Sequence, residues 1–211
     1  MLRVIFGGTF DPIHNGHVQT SLAAFRLLKA DLMQVMPSAQ PPHRDYPGAT
    51  PEQRLAMVRL AYAAHADIVA ENWELERERP SYSLLTLQEM RATWPQDQLI
   101  FLLGNDAFAK LDSWHGWQQL LDVAHLAVMQ RPHETSSWSE GVRQLAASHQ
   151  VDNVQELHDR PAGCMICLPT PEIEVSATLL RDRIATSGAW EQFVPEAVAA
   201  YIKQQQLYQT D

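Results

Sequence analysis

Short apolar runs alternate with longer segments of helical periodicity along this chain, and that alternation constrains its fold more than any other feature. The first instance is the clearest: Leu2 to Phe6 read as a buried strand, residues 7–15 as a loop, and His17 to Lys29 as a helix with one apolar face. Strands that are separated by helices pair in parallel and are covered by helices on both faces. The pattern therefore predicts a doubly wound α/β fold with a mostly parallel sheet.

Five further strands, and the helices between them, follow from the same pattern. The capping box Thr50-Pro51-Glu52-Gln53 predicts a helix that ends near Ala64, and another helix is predicted to begin near Ser81. A weak helical pattern covers Trp138 to Ala147, and two helices close the chain, the second beginning near Pro195. The strands are predicted at Leu32 to Met36, Asp67 to Ala70, Gln98 to Leu103, Ala124 to Met129 and Cys164 to Leu168.

The length of the chain, 211 residues, suits one large α/β domain better than two domains with separate cores. Neither a linker nor a repeat of fixed period divides the sequence. We therefore predict a single domain over residues 1–211, with a C-terminal helical part from about 176 to 211. The segment from Pro37 to Pro51 holds five of the 13 prolines and is predicted to be a functional loop.

Charge and composition exclude several classes of partner. The chain has 16 basic and 25 acidic residues and a net charge of −9, and it has no basic stripe, so a nucleic acid is not an expected partner. No apolar run approaches the roughly 18 residues that a bilayer crossing needs, and the N-terminus does not resemble a signal peptide. With two cysteines there is no disulfide framework. We expect a cytoplasmic protein, either a monomer or a small homo-oligomer, that has no membrane partner.

The segment between the first strand and the first helix, GGTFDPIHNGH, carries the strongest functional signal. In an open parallel sheet, ligands bind at this position, beside the carboxyl ends of the strands. Gly7 and Gly8 allow a ligand to approach the backbone closely, and Thr9 and Phe10 can present amide N–H groups to an anion. The segment matches neither a Walker A loop nor a dinucleotide fingerprint. We therefore predict an anion site of another kind.

Two histidines near the start of the first helix complete this anion site. His14 and His17 are three residues apart, so both rings can point at one ligand near the positive end of the helix dipole. Gly16 removes the side chain that would crowd the position between them. Asp11, His14 and His17, at three-residue intervals, are also a candidate metal site, and the residues alone leave that alternative open.

The segment GGTFDPIHNGH resembles the His-x-Gly-His signature of the nucleotidylyltransferase superfamily, and most of all that of its bacterial nicotinate-nucleotide adenylyltransferase family. The second signature of that family, Ile-Ser-Ser-Thr-x-Ile-Arg, is similar to Val175 to Arg181, which reads VSATLLR and keeps Ser176, Thr178 and Arg181. The resemblance implies a Rossmann-like fold and covers nearly the whole chain, except for Glu134 to Pro161. Its other landmarks lie at Pro41 to Arg44, Arg79 to Ser83, Gly104 to Asp106, the Trp114 turn, and Arg131-Pro132.

The resemblance implies transfer of an adenylyl group from ATP to nicotinate mononucleotide, which gives nicotinate adenine dinucleotide and pyrophosphate in NAD biosynthesis. Attack by the mononucleotide phosphate needs no protein nucleophile, so the enzyme must align two anions and stabilise the leaving pyrophosphate. We expect His14, His17 and Arg181 to be catalytic, with His17 at the α-phosphate and the other two at the β and γ oxygens. Mg²⁺ is expected as the cofactor and enters through the ATP phosphates, so no dedicated protein metal site is predicted.

The substrate contacts implied by the resemblance come from both signatures and from the turns between them. Asp106 resembles the family's ribose contact, and the nicotinate ring is expected to stack on Trp114 while its carboxylate meets backbone amides. The family often has Tyr in place of His115 and Thr in place of Ser83. The residues expected to contact ATP are Gly7, Gly8, Thr9, Phe10, His14, Gly16, His17, Gly104, Asp106, Arg131, Ser176, Thr178 and Arg181. The mononucleotide is expected to meet His43 and Arg44 with its phosphate, and Ser83, Trp114 and His115 with its ring.

The negative net charge has to be reconciled with anionic substrates, and a small positive pocket inside an acidic shell would do so. His14, His17, Arg44, Arg131 and Arg181 are the residues expected to form that pocket. The sequence leaves several alternative functions open. These are a related adenylyltransferase for nicotinamide mononucleotide or pantetheine phosphate, a non-catalytic nucleotide sensor, and a metal hydrolase that needs no ATP.

The motif Cys164-x-x-Cys167 could indicate a redox or zinc site. Within a strand, however, an offset of three residues sends two side chains to opposite faces of the sheet. We therefore interpret both cysteines as buried strand residues. The tryptophans other than Trp114 have no motif around them and are interpreted as packing residues.

Overall fold

The protein is described here by a computed structural model that covers residues 1–39, 48–76, 82–130 and 138–209. Six strands form one sheet in the order β3-β2-β1-β4-β5-β6, in which β1, β4, β5 and β6 pair in parallel. This order confirms the doubly wound α/β fold. The strands are β1 (Leu2–Gly8), β2 (Leu32–Pro37), β3 (Ile68–Ala70), β4 (Gln98–Gly104), β5 (His125–Gln130) and β6 (Met165–Pro169).

The helices follow the predicted order with small shifts at their ends. The helix α1 begins at Asn15, two residues earlier than predicted, because His14 and His17 cap its first turn. The short α7 was not predicted, and α2 ends three residues before Ala64. The helices are α1 (Asn15–Leu28), α2 (Pro51–Ala61), α3 (Ser83–Thr93), α4 (Asn105–Phe108), α5 (Leu120–Val123), α6 (Glu140–His149), α7 (Gln155–His158), α8 (Ala177–Ala185) and α9 (Glu196–Gln204).

The central strands are buried along most of their length. Every residue of the run Leu99–Leu103 in β4 is at most 5% exposed, although its side chains alternate between the two faces of the sheet. Leu2 to Phe6 in β1 are buried in the same way. Continuous apolar runs of this kind are typical of parallel strands that are covered on both faces.

The chain divides into two compact units. The first contains Met1–Gly7, Ser21–Gln34 and Tyr82–Pro171, and the second contains Gly8–Thr20, Val35–Ser81 and Glu172–Asp211. Within the second unit α2 packs against α9. Most of the His-x-Gly-His segment and the whole second signature belong to this unit. The single domain over 1–211, with its helical part from about 176, stays a prediction.

None of the helices in the described part of the chain combines the length and apolar character that a membrane crossing requires.

Candidate active site

The backbone between β1 and α1 turns tightly around a buried aromatic ring. Phe10 is only 2% exposed, has a positive φ of 50° and meets the His17 ring edge to face, with 5.2 Å between centroids. A Cβ atom on Gly8 would lie 2.8 Å from the Phe10 ring, which is too close. The glycine therefore lets the loop close over Phe10, whose side chain acts as the floor of the turn.

The two histidines of the motif form a stacked pair that is joined by two hydrogen bonds, one donated by the backbone of each residue. Their ring centroids are 3.6 Å apart and the ring planes differ by 19°. The backbone N–H of His17 donates to Nδ1 of His14, and the backbone N–H of His14 donates to Nδ1 of His17, each at 3.3 Å. An Nδ1 atom that accepts a hydrogen bond carries no proton, so each neutral ring holds its proton on Nε2. The loop therefore fixes two Nε2–H donors.

Both imidazoles are neutral near pH 7. Burial lowers the pKa of His14 to about 4. Burial, reinforced by the charge that His14 would carry, lowers the pKa of His17 well below its ordinary value. The predicted positive pocket is therefore wrong in one respect, because these two residues act as neutral hydrogen-bond donors and supply no charge.

The glycine between the histidines leaves room that its neighbours use. A Cβ atom on Gly16 would come within 3.0 Å of both the His14 ring and the side chain of Val175. Val175 is the first residue of the second signature, so this close approach brings that signature against the start of α1. Any larger residue at this position would have to push the His14 ring aside.

The carboxylate of Asp11 organises the loop from inside. Asp11 is 5% exposed and accepts hydrogen bonds from the amides of Gly48 and Ala49, at 2.9 and 3.1 Å, and from the Tyr208 hydroxyl at 2.7 Å. Its oxygens are thus occupied by protein donors. Among the described residues no group of three or more His, Cys, Asp or Glu side chains could hold a metal ion. The arrangement does not support the metal site at Asp11, His14 and His17.

Sequence reasoning missed Arg54, which supports the same loop. Its side chain is fully buried in α2 and donates to the carbonyl oxygens of Thr9, Ser38 and Ala39, at 2.7, 2.8 and 2.9 Å. A buried cation needs such partners to offset its lost hydration. The available signal was an arginine beside the apolar residues Leu55, Met57 and Val58, which are buried in the same helix.

The second signature lies at the N-terminus of α8. Ser176 caps this helix, with its hydroxyl oxygen accepting from the amide of Leu179 at 3.2 Å. Arg181 donates to the main-chain oxygen of Asp11 at 2.7 Å and to the Thr178 hydroxyl at 3.3 Å. The side chain of Arg181 remains 35% exposed. The second unit thus brings the catalytic residues predicted from the two signatures onto one loop and one helix end.

The aromatic turn, residues 114–116, lies in the first unit. Trp114 meets Phe101 edge on, and His115 lies against Tyr82 with ring centroids 4.6 Å apart. Gly116 has a φ of +64°, and a Cβ atom there would overlap the Leu84 side chain in the first turn of α3. The aromatic turn therefore packs directly on the start of that helix.

The helix predicted to begin near Ser81 begins at Ser83, which is the first residue of α3. Tyr82 precedes it as the N-cap and makes no side-chain capping bond. The first amides of an α-helix have no partner within the helix, so they are suited to bind an anion. Ser83 and the aromatic turn thus lie at a helix N-terminus, which is a natural position for a carboxylate.

The strand end at β4 supplies a further part of the predicted ATP contacts. Apart from the chain neighbours of Gly104, no described residue has an atom within 4 Å of the position that a Cβ would take there, and Asp106 is exposed at the start of α4. Between them, Asn105 is buried and accepts a hydrogen bond from the Trp138 indole at 3.2 Å. Trp138 therefore does more than pack, since it holds the side chain of the residue between Gly104 and Asp106. A Cβ atom added to Gly7, at the end of the first unit's part of β1, would lie 3.7 Å from the Phe101 ring, which is an ordinary contact.

Three predicted site residues, His43, Arg44 and Arg131, lie outside the described residues, and their roles stay predictions. Both cysteines are free thiols whose pKa is raised by burial. Cys164 lies one residue before β6, which corrects its predicted place in the strand, and Cys167 is half-buried. A raised thiol pKa does not favour redox chemistry.

Comparison with known proteins places this geometry in a family. A model of the cytidylyltransferase-like family matches residues 5–183. The relative described as "Probable nicotinate-nucleotide adenylyltransferase" in Idiomarina loihiensis is 41% identical over 209 residues, which is 99% of this chain and 100% of that protein. The protein of the same description in Pseudomonas syringae pv. tomato is 42% identical over 205 residues, 97% of this chain and 92% of the relative.

Solved structures agree in fold. The nicotinic acid mononucleotide adenylyltransferase of Plasmodium falciparum complexed with NaAD has a TM-score of 0.70 and 16% identity, covering 99% of this chain and 98% of that one. The same enzyme complexed with APC has a TM-score of 0.66 and 16% identity, over 98% and 96% of the two chains. Similarity at this level of identity shows the shared fold, whereas the relatives near 40% identity over almost the full length show descent. The chain belongs to the cytidylyltransferase-like family and, within it, to the nicotinate-nucleotide adenylyltransferases.

Proposed function

We propose that this protein is an adenylyltransferase that joins the adenylyl group of ATP to nicotinate mononucleotide, forming nicotinate adenine dinucleotide and pyrophosphate in NAD biosynthesis. One observation carries the mechanism: the backbone amides of His14 and His17 each donate to Nδ1 of the other residue, which fixes two neutral Nε2–H donors. Family membership supplies the substrates, and the fixed donors supply a physical reason for catalysis. We expect the reaction to take place in the cytoplasm.

The reaction needs no covalent intermediate with the protein. A phosphate oxygen of the mononucleotide attacks the α-phosphorus of ATP, a new P–O bond forms, and the bond to the bridging oxygen between the α and β phosphates breaks. Both electrons of that bond leave with pyrophosphate. The protein must therefore align two anions and stabilise the charge that grows on the leaving group.

The two signatures divide that work. Nε2–H of His17 would contact the α-phosphate, while His14 and Arg181 would hold the β and γ oxygens. The hydroxyls of Ser176 and Thr178, and the amides of residues 8–10, add further donors to the phosphates. Because hydrogen bonds within the loop hold both rings in place, little reorganisation is needed when charge develops in the transition state.

Mg²⁺ is proposed to enter as part of the substrate, the magnesium complex of ATP. The phosphate oxygens and water provide most of the ligands of Mg²⁺ in such complexes, so a protein cage is not required. The donor set agrees with this, since the described residues around the histidine pair present N–H groups rather than free carboxylates. The ion would neutralise part of the phosphate charge, which the neutral histidines cannot do.

The aromatic turn is proposed to select the acceptor. The nicotinate ring would stack on Trp114 beside His115, and its carboxylate would accept hydrogen bonds from Ser83 and the first amides of α3. A carboxylate accepts such bonds at both oxygens, whereas the NH₂ of a carboxamide would face donors. Gly104, Asp106 and Arg131 would then contact the nucleoside of ATP, and His43 and Arg44 the mononucleotide phosphate.

The test is an acceptor panel at fixed magnesium-ATP, with pyrophosphate and dinucleotide both quantified. Nicotinate mononucleotide is expected to give the two products in equal amounts and with the highest kcat/KM. Equal kcat/KM for nicotinamide mononucleotide would remove the substrate assignment, and preference for pantetheine phosphate would replace it. Phosphate release without ATP would indicate a hydrolase, and ATP binding without product would indicate a nucleotide sensor.

A further inference from the structure

The turn after α9 packs an aromatic residue, Tyr208, into the second unit in an unfavourable backbone conformation. Tyr208 has a φ of 64°, a region that residues other than glycine rarely occupy. Its hydroxyl donates to Oδ1 of Asp11 at 2.7 Å, and a Cβ atom on Gly48 would lie 2.9 Å from its ring. An unfavourable backbone conformation persists only where the surrounding contacts hold it, so the seating of this phenol is strongly specified.

Asp11 is the point where these contacts converge. Its Oδ1 accepts from Tyr208 and from the amide of Ala49, and its Oδ2 accepts from the amide of Gly48. Arg181 comes to the same residue but bonds its main-chain oxygen at 2.7 Å, while the closest carboxylate oxygen stays 3.8 Å away. The guanidinium is therefore beside the carboxylate without forming a close pair with it.

This separation matters because an arginine next to a buried carboxylate ordinarily forms a short two-point pair. Such a pair would turn the guanidinium of Arg181 towards Asp11 and away from an incoming phosphate. The Asp11 carboxylate oxygens already accept hydrogen bonds from two amides and a phenol. A short ion pair with Arg181 would therefore add little stabilisation. Burial and the neighbouring Asp11 charge also raise the pKa of Tyr208, so its hydroxyl remains a donor at physiological pH.

We propose that Tyr208 is a positioning residue for adenylyl transfer, which occupies Asp11 and so keeps the guanidinium of Arg181 available to the ATP phosphates. This inference rests on the proposed function through the role of Arg181 and extends it to the C-terminal turn. Tyr208 itself is not expected to touch either substrate.

The test is Tyr208→Phe, with Tyr201→Phe in α9 as the matched control that removes the same hydroxyl from a half-buried site. The dissociation constant of magnesium-ATP is measured by titration calorimetry, together with KM for both substrates. Tyr208→Phe is expected to weaken ATP binding about tenfold, the size expected for one hydrogen bond to a charged group. The KM for nicotinate mononucleotide should stay within about twofold, since general loss of packing, unlike loss of positioning, would affect both substrates.

Coupling to Arg181 separates positioning from a general structural role. In an Arg181→Ala background, Tyr208→Phe should add less than about twofold to the ATP dissociation constant, because its effect passes through that side chain. A full, additive tenfold loss in that background, or unchanged ATP binding in the single variant, would overturn the proposal. If Tyr208→Phe does not fold, Gly48→Ala, which displaces the ring, takes its place with the same expected results. Failure of the wild type to make dinucleotide would reject the proposed function, while the calorimetry would still decide this inference.

Discussion

The His-x-Gly-His loop, residues 8–17, and the aromatic turn, residues 114–116, are held in place by different means. In the loop, the carboxylate of Asp11, the carbonyl of Thr9 and both histidine Nδ1 atoms accept hydrogen bonds from protein donors. In the aromatic turn, Trp114 and His115 are placed by contacts with other rings. The loop is thus held by hydrogen bonds of its own and its neighbours' polar groups, whereas the turn is held by aromatic contacts. Changes in the loop should lower kcat, and changes in the turn should raise the KM of the acceptor.

The largest effect is expected for His17→Ala. This change removes a fixed donor and one half of the reciprocal bonding with His14, and loss of such a preorganised donor lowers kcat about 10²- to 10³-fold. The measurement is steady-state pyrophosphate release, with circular dichroism to verify folding. His65→Ala, a change in the connection after α2, is the control. Turnover of His17→Ala within a few-fold of the wild type would reject the catalytic assignment.

Trp114→Ala tests the other side of the comparison. Loss of a stacking ring should raise the KM for nicotinate mononucleotide up to about tenfold, the scale of an aromatic contact, and leave the KM for ATP nearly unchanged. Trp117→Ala removes the same side chain from a residue that packs near Gly141 and should not affect the acceptor KM. A lowered kcat with both KM values unchanged would contradict the division of roles.

Ser176→Ala tests the N-terminal cap of α8, the helix that carries the second signature. Loss of the capping bond to Leu179 should lower the free energy of unfolding by about 1 kcal/mol. Thermal unfolding with and without magnesium-ATP measures this loss of stability. Ser187→Ala, which removes a serine hydroxyl just after α8, is the control variant. An unchanged Tm for Ser176→Ala would show that the cap contributes nothing to stability.

The smallest effect concerns pH. Since the pKa of His14 is about 4 and that of His17 is also lowered, neither ring titrates between pH 6.5 and 8, and their protonation should leave kcat unchanged there. The unfolded chain binds protons at its ordinary histidine pKa, about 6.5, before the folded chain does, so the free energy of unfolding should fall as the pH drops from there towards 4. Denaturant unfolding at several pH values measures this slope, and His14→Gln should reduce it. A slope of the opposite sign would mean that the pair is charged in the folded state.

The sequence was sufficient to predict what depends on local pattern. The apolar run of β1, the cap at Thr50 and the helix start after the glycines all depend on neighbouring residues, and the structure has them close to their predicted places. These features could be predicted because hydrophobic period and capping chemistry act over a few positions. The second signature, in contrast, was found through the resemblance of Val175 to Arg181 to a family pattern.

Contacts between residues that are far apart in the sequence could not be predicted from it. The contact of Tyr208 with Asp11 joins positions 197 residues apart, and Arg54 donates to a carbonyl 45 residues away. The neutral state of the histidine pair likewise depends on burial, which a motif does not reveal. The start of α3 was predicted about two residues too early, near Ser81, because helix ends are the least determined part of a sequence pattern.

The most direct test follows the adenylyl group itself. ATP labelled in its α-phosphate is incubated with the wild-type protein, Mg²⁺ and nicotinate mononucleotide at pH 7, where the histidine pair is neutral. The proposed adenylyl transfer should place the label in nicotinate adenine dinucleotide, with one unlabelled pyrophosphate released for each dinucleotide formed. Label that appears in AMP, or that remains in ATP while the acceptor is present, would contradict it.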